Sequence, residues 1–396
     1  MKTLIFLSLS AFCVFEASAN WPSFRGDGTS RSNVDDLPLT WSDTENLAWA
    51  VDLPGYGQSS PVIWDDRVFV TSTEGAKKEQ GVVLCYALED GKLLWSKAID
   101  SAVQIEASNM VSRGAPTAAV DADAVYAFFE SGDVVAYSHD GEQIWKRDLI
   151  ADYGKFGGMH GIGSSLAQND EAVFVLAEHD GPSYLLALDK KDGKNLWKID
   201  REKRVSWSSP IVSEDRIYIS SNGVVESRNA ADGAEIWKQD GVEGNNVPSP
   251  SLSADGELIA IGSSAPQMSR IVNADSGETV WSPRVTSSFG SPLVAEGLAY
   301  FVNRAGALQC VDLESGELRW ETRLSESTWA TPLAAAGRIY CFCKNGTTVV
   351  LEAGGAEPKV IAENTLTALQ NDKVYGYAIS EGSIVARAGS KLICIR

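Results

Sequence analysis

One short phrase recurs six times in the chain: Gly91 to Trp95 (GKLLW), Gly141 to Trp145 (GEQIW), Gly193 to Trp197 (GKNLW), Gly233 to Trp237 (GAEIW), Gly277 to Trp281 (GETVW) and Gly316 to Trp320 (GELRW). These copies use half of the twelve tryptophans. A large aromatic repeated at one spacing after an Asp-Gly or Ser-Gly pair is the mark of a supersecondary unit copied along the chain. A second mark precedes the copies: SSP at Ser59 to Pro61, GAP at Gly114 to Pro116, SSP at Ser208 to Pro210, PSP at Pro248 to Pro250 and GSP at Gly290 to Pro292. Between the marks run alternating segments such as RVFVTS (Arg67 to Ser72) and RIYISS (Arg216 to Ser221), which predict strands. Four short strands per unit describe a propeller blade.

Units begin near Ser59, Gly114, Ser164, Ser208, Pro248, Gly290 and Ala330, and a degenerate eighth near Ala368 ends at the C-terminus without its Trp strand. ENLAWAVDL (Glu45 to Leu53) has the character of that missing outer strand, so the expected fold is all-β: an eight-bladed propeller of four-stranded antiparallel blades, closed by an N-terminal strand. Residues 40–396 form the propeller in this reading, 20–39 an extended segment before it, and 1–19 a signal peptide; deleting Asn20 to Leu53 should expose a sheet edge, and deleting only Asn20 to Pro38 should do much less. Lys2 precedes the apolar run Leu4 to Phe15, and Ala17-Ser18-Ala19 is a small-x-small cleavage pattern, so export to the periplasm or beyond is expected. The run is too short to span a membrane.

Trp95, Trp145, Trp197, Trp237, Trp281 and Trp320 are assigned to scaffold, each packing its indole between neighbouring blades. A formal charge of -19 makes nucleic acid and anionic lipid poor partners. Cys85, Cys310 and Cys394 occupy matching strand positions, which predicts buried thiols and not bridges; Cys341 and Cys343 share one strand face. His139 lies in the turn SHDGEQ and is expected in solvent, and no His, Cys or carboxylate cluster has metal-ligand spacing.

The repeated Gly-x-x-x-Trp phrase resembles the tryptophan-docking repeat of the PQQ-like propeller family, shared by PQQ-dependent dehydrogenases and BamB-like proteins of the outer-membrane assembly machinery. NWPSFRGDGTSRS (Asn20 to Ser32), HGIGSS (His160 to Ser165) and the stretch Ala187 to Pro210 are similar to secreted PQQ-like propellers of planctomycete-type bacteria. The BamB-like side implies a monomeric, non-catalytic scaffold that binds an envelope protein or an extended peptide segment. The dehydrogenase side implies PQQ with Ca²⁺, for which Glu106, Asn109 and Asp180 are the available oxygen donors; the chain has no Cys-Cys pair and little length for a cofactor chamber. A polysaccharide-binding propeller using Trp207 and Trp329 is a third reading.

The inner strand of a blade begins beside the central channel, so Gln58, Arg113, Ser164, Trp207, Asn246 or Val247, Phe289 and Trp329 are expected at one mouth. ADYGKFGGMHGIGSS (Ala151 to Ser165) is longer than a connector needs and predicts a mobile loop over that mouth. With AEHDG (Ala177 to Gly181) and DREKRVSW (Asp200 to Trp207), the candidate ligand residues are Arg113, His160, His179, Asp180, Arg201, Trp207 and Trp329. Arg201 is the expected anion partner, and no catalytic residue and no metal site is assigned.

Overall fold

The computed structural model describes residues 20–101, 103–104, 112–158, 160–370 and 372–396. The proposed leader, Glu106 and Asn109 lie outside these residues. Thirty-two strands form eight separate four-stranded antiparallel sheets. Blade 1 is built from Val62–Trp64, Arg67–Glu74, Gln80–Ala87 and Leu93–Asp100. Blade 8 is built from Val374–Ser380, Ser383–Ala388 and Lys391–Ile395, and takes its outer strand, Leu47–Asp52, from the other end of the chain. The eight-bladed ring closed by an N-terminal strand is therefore observed.

The repeat has a local mechanism. In six blades the Trp pairs across the hairpin with a residue of the third strand, mostly a small one: Cys85 with Trp95, Ala136 with Trp145, Ala187 with Trp197, Ser227 with Trp237, Cys310 with Trp320 and, larger, Ile271 with Trp281. The register then slips by one residue, so the residue before the Trp is bulged out. Such a bulge twists the strand and re-aims the next side chain. It also accounts for Leu94, Ile144, Leu196, Ile236 and Val280, exposed aliphatics that all sit at this position.

The re-aimed indole reaches the next blade. Trp95, Trp145, Trp197, Trp237, Trp281 and Trp320 donate Nε1–H to the carbonyls of His139, Lys190, Ala230, Ala274, Leu313 and Gly355 at 2.8–3.1 Å. Trp49 in the closing strand does the same to Leu88, a seventh docking tryptophan that lacks the Gly of the phrase. The Gly receives the indole of the preceding blade: a Cβ on Gly277 would lie 2.5 Å from Trp237 Cδ2, and its φ is +74°. One phrase thus contains both halves of the joint. His139 is half-buried, not solvated, because it carries the Trp95 acceptor and its ring packs on Phe69 at 5.5 Å.

Blade 7 has Ala362 where the Trp belongs. The N-terminal segment fills the vacancy. Trp41, 4% exposed, stacks on Tyr340 at 6.4 Å, just as Trp145, Trp237 and Trp320 lie 6.0–6.4 Å from Tyr126, Tyr218 and Tyr300. Its neighbours hold it there: Trp41 N donates to Asn364 Oδ1, and Asn364 Nδ2 donates to the Leu39 carbonyl.

Residues 20–38 are extended in part but do not stand outside the fold. Trp21 bridges Ile63 of blade 1, and the Pro22 carbonyl accepts from Val120 and Gln168 of blades 2 and 3. Gly28 lies against Ile211 of blade 4, and Arg25 and Arg31 donate to Pro250, Leu252 and Val294 of blades 5 and 6. Ser30 and Ser32 bond Ala334 of blade 7, and Trp21 packs on Tyr377 of blade 8. The segment crosses the ring and touches every blade. Its burial, with Trp21 and Leu37 each 3% exposed, argues against the expectation that deleting Asn20 to Pro38 does much less than deleting Asn20 to Leu53.

At the seam between blades 8 and 1, the fully buried Arg387 guanidinium donates to Ser59 Oγ, Ser72 Oγ and the Gly389 carbonyl at 2.8–3.0 Å, and to Thr71 O. Burial with no carboxylate in contact pushes its pKa down to about 9. All five cysteines among the described residues are free and buried, and burial pushes the Cys85 and Cys310 thiols up to about 12.

Candidate functional site

The start marks build the channel wall. In seven blades the residue two before the inner strand is Ser or Thr, and its hydroxyl or amide is tied to the next blade. Ser60 N donates to Thr117 Oγ1, Thr117 N to Ser165 Oγ, Ser165 N to Ser209 Oγ, Ser209 N to Ser249 Oγ, Ser249 N to Ser291 Oγ and Ser291 N to Thr331 Oγ1, all at 2.9–3.1 Å. Counting back from the hairpin of blade 8 puts Gly376 at this position, where a Cβ would strike Ser60 Oγ. The Ser-Pro marks are therefore inter-blade clamps around the axis.

Above this ring lies a cavity of about 280 Å³. Phe24, from the segment crossing the ring, contributes to its lining along with Thr117, Ser165, Ser209, Ser249, Ser291 and Thr331. Gln58, His160, Trp207, Val247, Phe289, Trp329 and Tyr375 complete the mouth. The inner-strand rule thus places five residues correctly. In blades 2 and 3, however, Ala115 and Gly163 face the cavity instead of Arg113 and Ser164. Tyr375 and Phe24 were missed because blade 8 has no start mark and the segment before residue 40 carries no strand pattern.

The seven candidate ligand residues divide. Trp207 and His160 meet at 5.8 Å between ring centres, and Trp207 Nε1 donates to the Gly161 carbonyl. Trp329 stacks on Phe289 with centroids 4.4 Å apart and 5° between planes. Arg113 lies just outside, its guanidinium 3.6 Å from the Tyr56 ring centre. The other three are elsewhere. The Arg201 side chain is 5% exposed and clamped between Glu178, at 2.8 Å, and Glu226, so its charge is already spent. Burial opposes ionisation of Glu226, but Arg201 and Arg228 outweigh it and hold that carboxyl below its usual range. His179 is 1% exposed, and its Nδ1 accepts from Gly157 N at 2.9 Å and Gly181 N at 2.8 Å. Asp180 is exposed beside the same glycines.

These contacts also revise the expected mobile loop. It begins as a one-turn helix, Leu149–Tyr153, capped by Asp148. Phe156 then packs 4.9 Å from His179, and the His160 carbonyl accepts from Ser112 N at 2.8 Å. The segment is pinned at several points and delivers His160 to the mouth.

PQQ with Ca²⁺ needs carboxylate or amide oxygens at the channel. The described lining offers one amide, Gln58, and no carboxylate, and no group of three His, Cys, Asp or Glu fit to hold a metal occurs among the described residues. The described residues lining the cavity do not fit that cofactor.

Fold and site define a tryptophan-docked propeller whose axial cavity is apolar at the mouth and crossed by the chain's own N-terminal segment. The family described as outer membrane protein assembly factor BamB matches residues 34–156, 138–291 and 267–359, and the chain belongs to it. BamB of Yersinia pestis is 26% identical over 255 residues, covering 58% of this chain and 62% of the relative. BamB of Escherichia coli K12 is 26% identical over 246 residues, covering 46% and 62%. The chain thus matches less than two thirds of the length of these relatives. Among solved structures, BamB from Moraxella catarrhalis superposes with a TM-score of 0.65 at 12% identity, over 88% of this chain and 98% of that one. Quinohemoprotein alcohol dehydrogenase from Comamonas testosteroni gives 0.70 at 11%, over 95% and 80%. At these identities the likeness is one of fold.

Proposed function

We propose that this chain is an exported, non-catalytic scaffold that binds proteins during assembly of the cell envelope. The family match across residues 34–359, to relatives named as outer membrane protein assembly factors, carries this reading. The carboxylate-free cavity lining supports binding over quinone redox chemistry. No helix among the described residues is long and apolar enough to cross a membrane. The periplasmic or secreted location is proposed from the leader sequence. A ring jointed at every blade is a rigid platform, and its loops and blade edges are suited to receiving an extended partner segment.

Deleting the gene and measuring outer membrane protein levels tests the proposal. A several-fold fall restored by the full chain is expected; unchanged levels overturn it. Incubation with PQQ and Ca²⁺ is the second arm, and quinone-dependent dye reduction by an alcohol or sugar would likewise overturn it.

A further inference from the structure

Four aromatic rings form a continuous arc along one side of the channel mouth. Tyr56 and Tyr375 share a hydrogen bond of 2.8 Å between hydroxyls. Tyr375 meets Trp329 edge to face at 5.7 Å, and Trp329 stacks on Phe289. Three cations lie on this arc. Arg113 covers Tyr56 at 3.6 Å, Lys373 Nζ lies over Trp329 at 4.9 Å, and Arg304 lies over Phe289 at 5.7 Å. Phe289 already occupies one face of Trp329, so Lys373 takes the other.

Among the described residues none of these three cations forms an ion pair. Arg113 Nε is buried without a hydrogen-bond partner among the described residues. Two carboxylates face the same vestibule. Glu326 is paired with Lys344 at 3.3 Å, and Asp372 accepts from the Tyr56 hydroxyl at 3.1 Å. Among the described residues the rim is therefore net positive, on a chain whose formal charge is -19. Inward of it lies the cavity bounded by Phe24, Trp207, Val247, Phe289 and Trp329, and His160 Nδ1 is buried there with no partner among the described residues.

An apolar cavity below a cationic rim is complementary to an amphiphile with a negative head. Burial of the apolar body drives entry, and a guanidinium or ammonium at the edge of a low-dielectric cavity binds a carboxylate more strongly than one in open water. We propose that the channel mouth is a receptor for an apolar monocarboxylate, whose apolar group enters the cavity and whose carboxylate meets Arg113 and Lys373 at the rim. The free carboxyl end of a polypeptide terminating in an aromatic or branched residue has this chemistry, and so does a medium-chain fatty acid. The site does not depend on the scaffold proposal, since it needs no envelope partner.

The test is a calorimetric and tryptophan-fluorescence titration of the full chain with four probes: acetyl-Gly-Gly-Phe as the free acid, the same peptide as its C-terminal amide, octanoate, and octylamine. The acid should bind saturably and about tenfold tighter than the amide, with affinity falling as salt rises. Lys373→Met and Arg113→Gln should each remove most of that preference, and Lys373→Met should leave the melting temperature unchanged. Binding of the peptide acid without octanoate assigns the site to polypeptide ends, the reverse assigns it to free acids, and both results support the receptor. Equal binding of acid and amide, octylamine matching octanoate, or no saturation by any probe at millimolar concentration overturns it.

Discussion

Replacing Trp41 by Ala removes a docking indole that the N-terminal segment lends to blade 7. The side chain is 4% exposed, and an indole buries on the order of 200 Å², worth about 5 kcal/mol at ~25 cal/mol/Å². Alanine retains its methyl and the site relaxes in part, so the expected loss is about 3–5 kcal/mol. The hydrogen bonds from Trp41 N to Asn364 and from Asn364 to Leu39 use backbone atoms on the segment's side and survive the change. For a chain of this length unfolding as one unit, the entropy of unfolding is roughly 0.8 kcal/mol/K, so the midpoint should fall by about 4–6 °C. Scanning calorimetry of Trp41→Ala beside Trp237→Ala makes the comparison, because Trp237 performs the same task from within its own blade. Limited proteolysis should then cut first between blades 7 and 8. If Trp41→Ala melts within about a degree of the parent while Trp237→Ala does not, Trp41 is no surrogate and the joint between blades 7 and 8 is held some other way.

Three further outcomes are expected. Removing residues 20–38 should abolish a sharp thermal transition or cause aggregation, because it takes Phe24 out of the cavity lining and uncovers Ile63 and Tyr377 together; a cooperative melt at the parental temperature would refute the reading of this segment as integral to the ring. Arg201→Met leaves Glu178 without its cation and Glu226 with Arg228 alone, and should cost about 3–5 kcal/mol by chemical denaturation, while leaving any ligand titration at the mouth unchanged; altered ligand affinity at full stability would return Arg201 to the site. Burial lowers the pKa of His179 despite the opposing Asp180 charge, so the folded state favours the neutral ring. Its contribution is full above the ordinary value of 6.5 and is lost as pH falls through the depressed folded value; protonation of Nδ1 would also break the bonds from Gly157 and Gly181. Stability should therefore drop on acidification from neutral pH more in the parent than in His179→Gln, and parallel curves would show that His179 carries no such term.

Blade number and closure were legible in the sequence because they rest on local signals. The Asp-Gly turns, alternating strands and tryptophans at constant spacing repeat the same short-range chemistry, and Leu47–Asp52 carries it too. The inner-strand positions were legible for the same reason, so Gln58, Trp207, Val247, Phe289 and Trp329 could be placed at the mouth by counting. What only the tertiary structure decided are contacts between residues far apart in the chain that share no period. Trp41 meets Tyr340, Arg387 meets Ser59 and Ser72, and residues 20–38 cross all eight blades as single, unrepeated contacts. Charge pairing is of this kind as well: proximity in sequence put Arg201 beside Trp207, but a side chain of that length turned instead to two buried carboxylates on neighbouring blades. Arg113, Arg304 and Lys373, from three separate loops, gather on one aromatic arc only because the ring sets blades 6, 7, 8 and 1 side by side. Periodicity encodes what each blade does for its neighbour, and the closed ring decides which unrepeated residues share its axis.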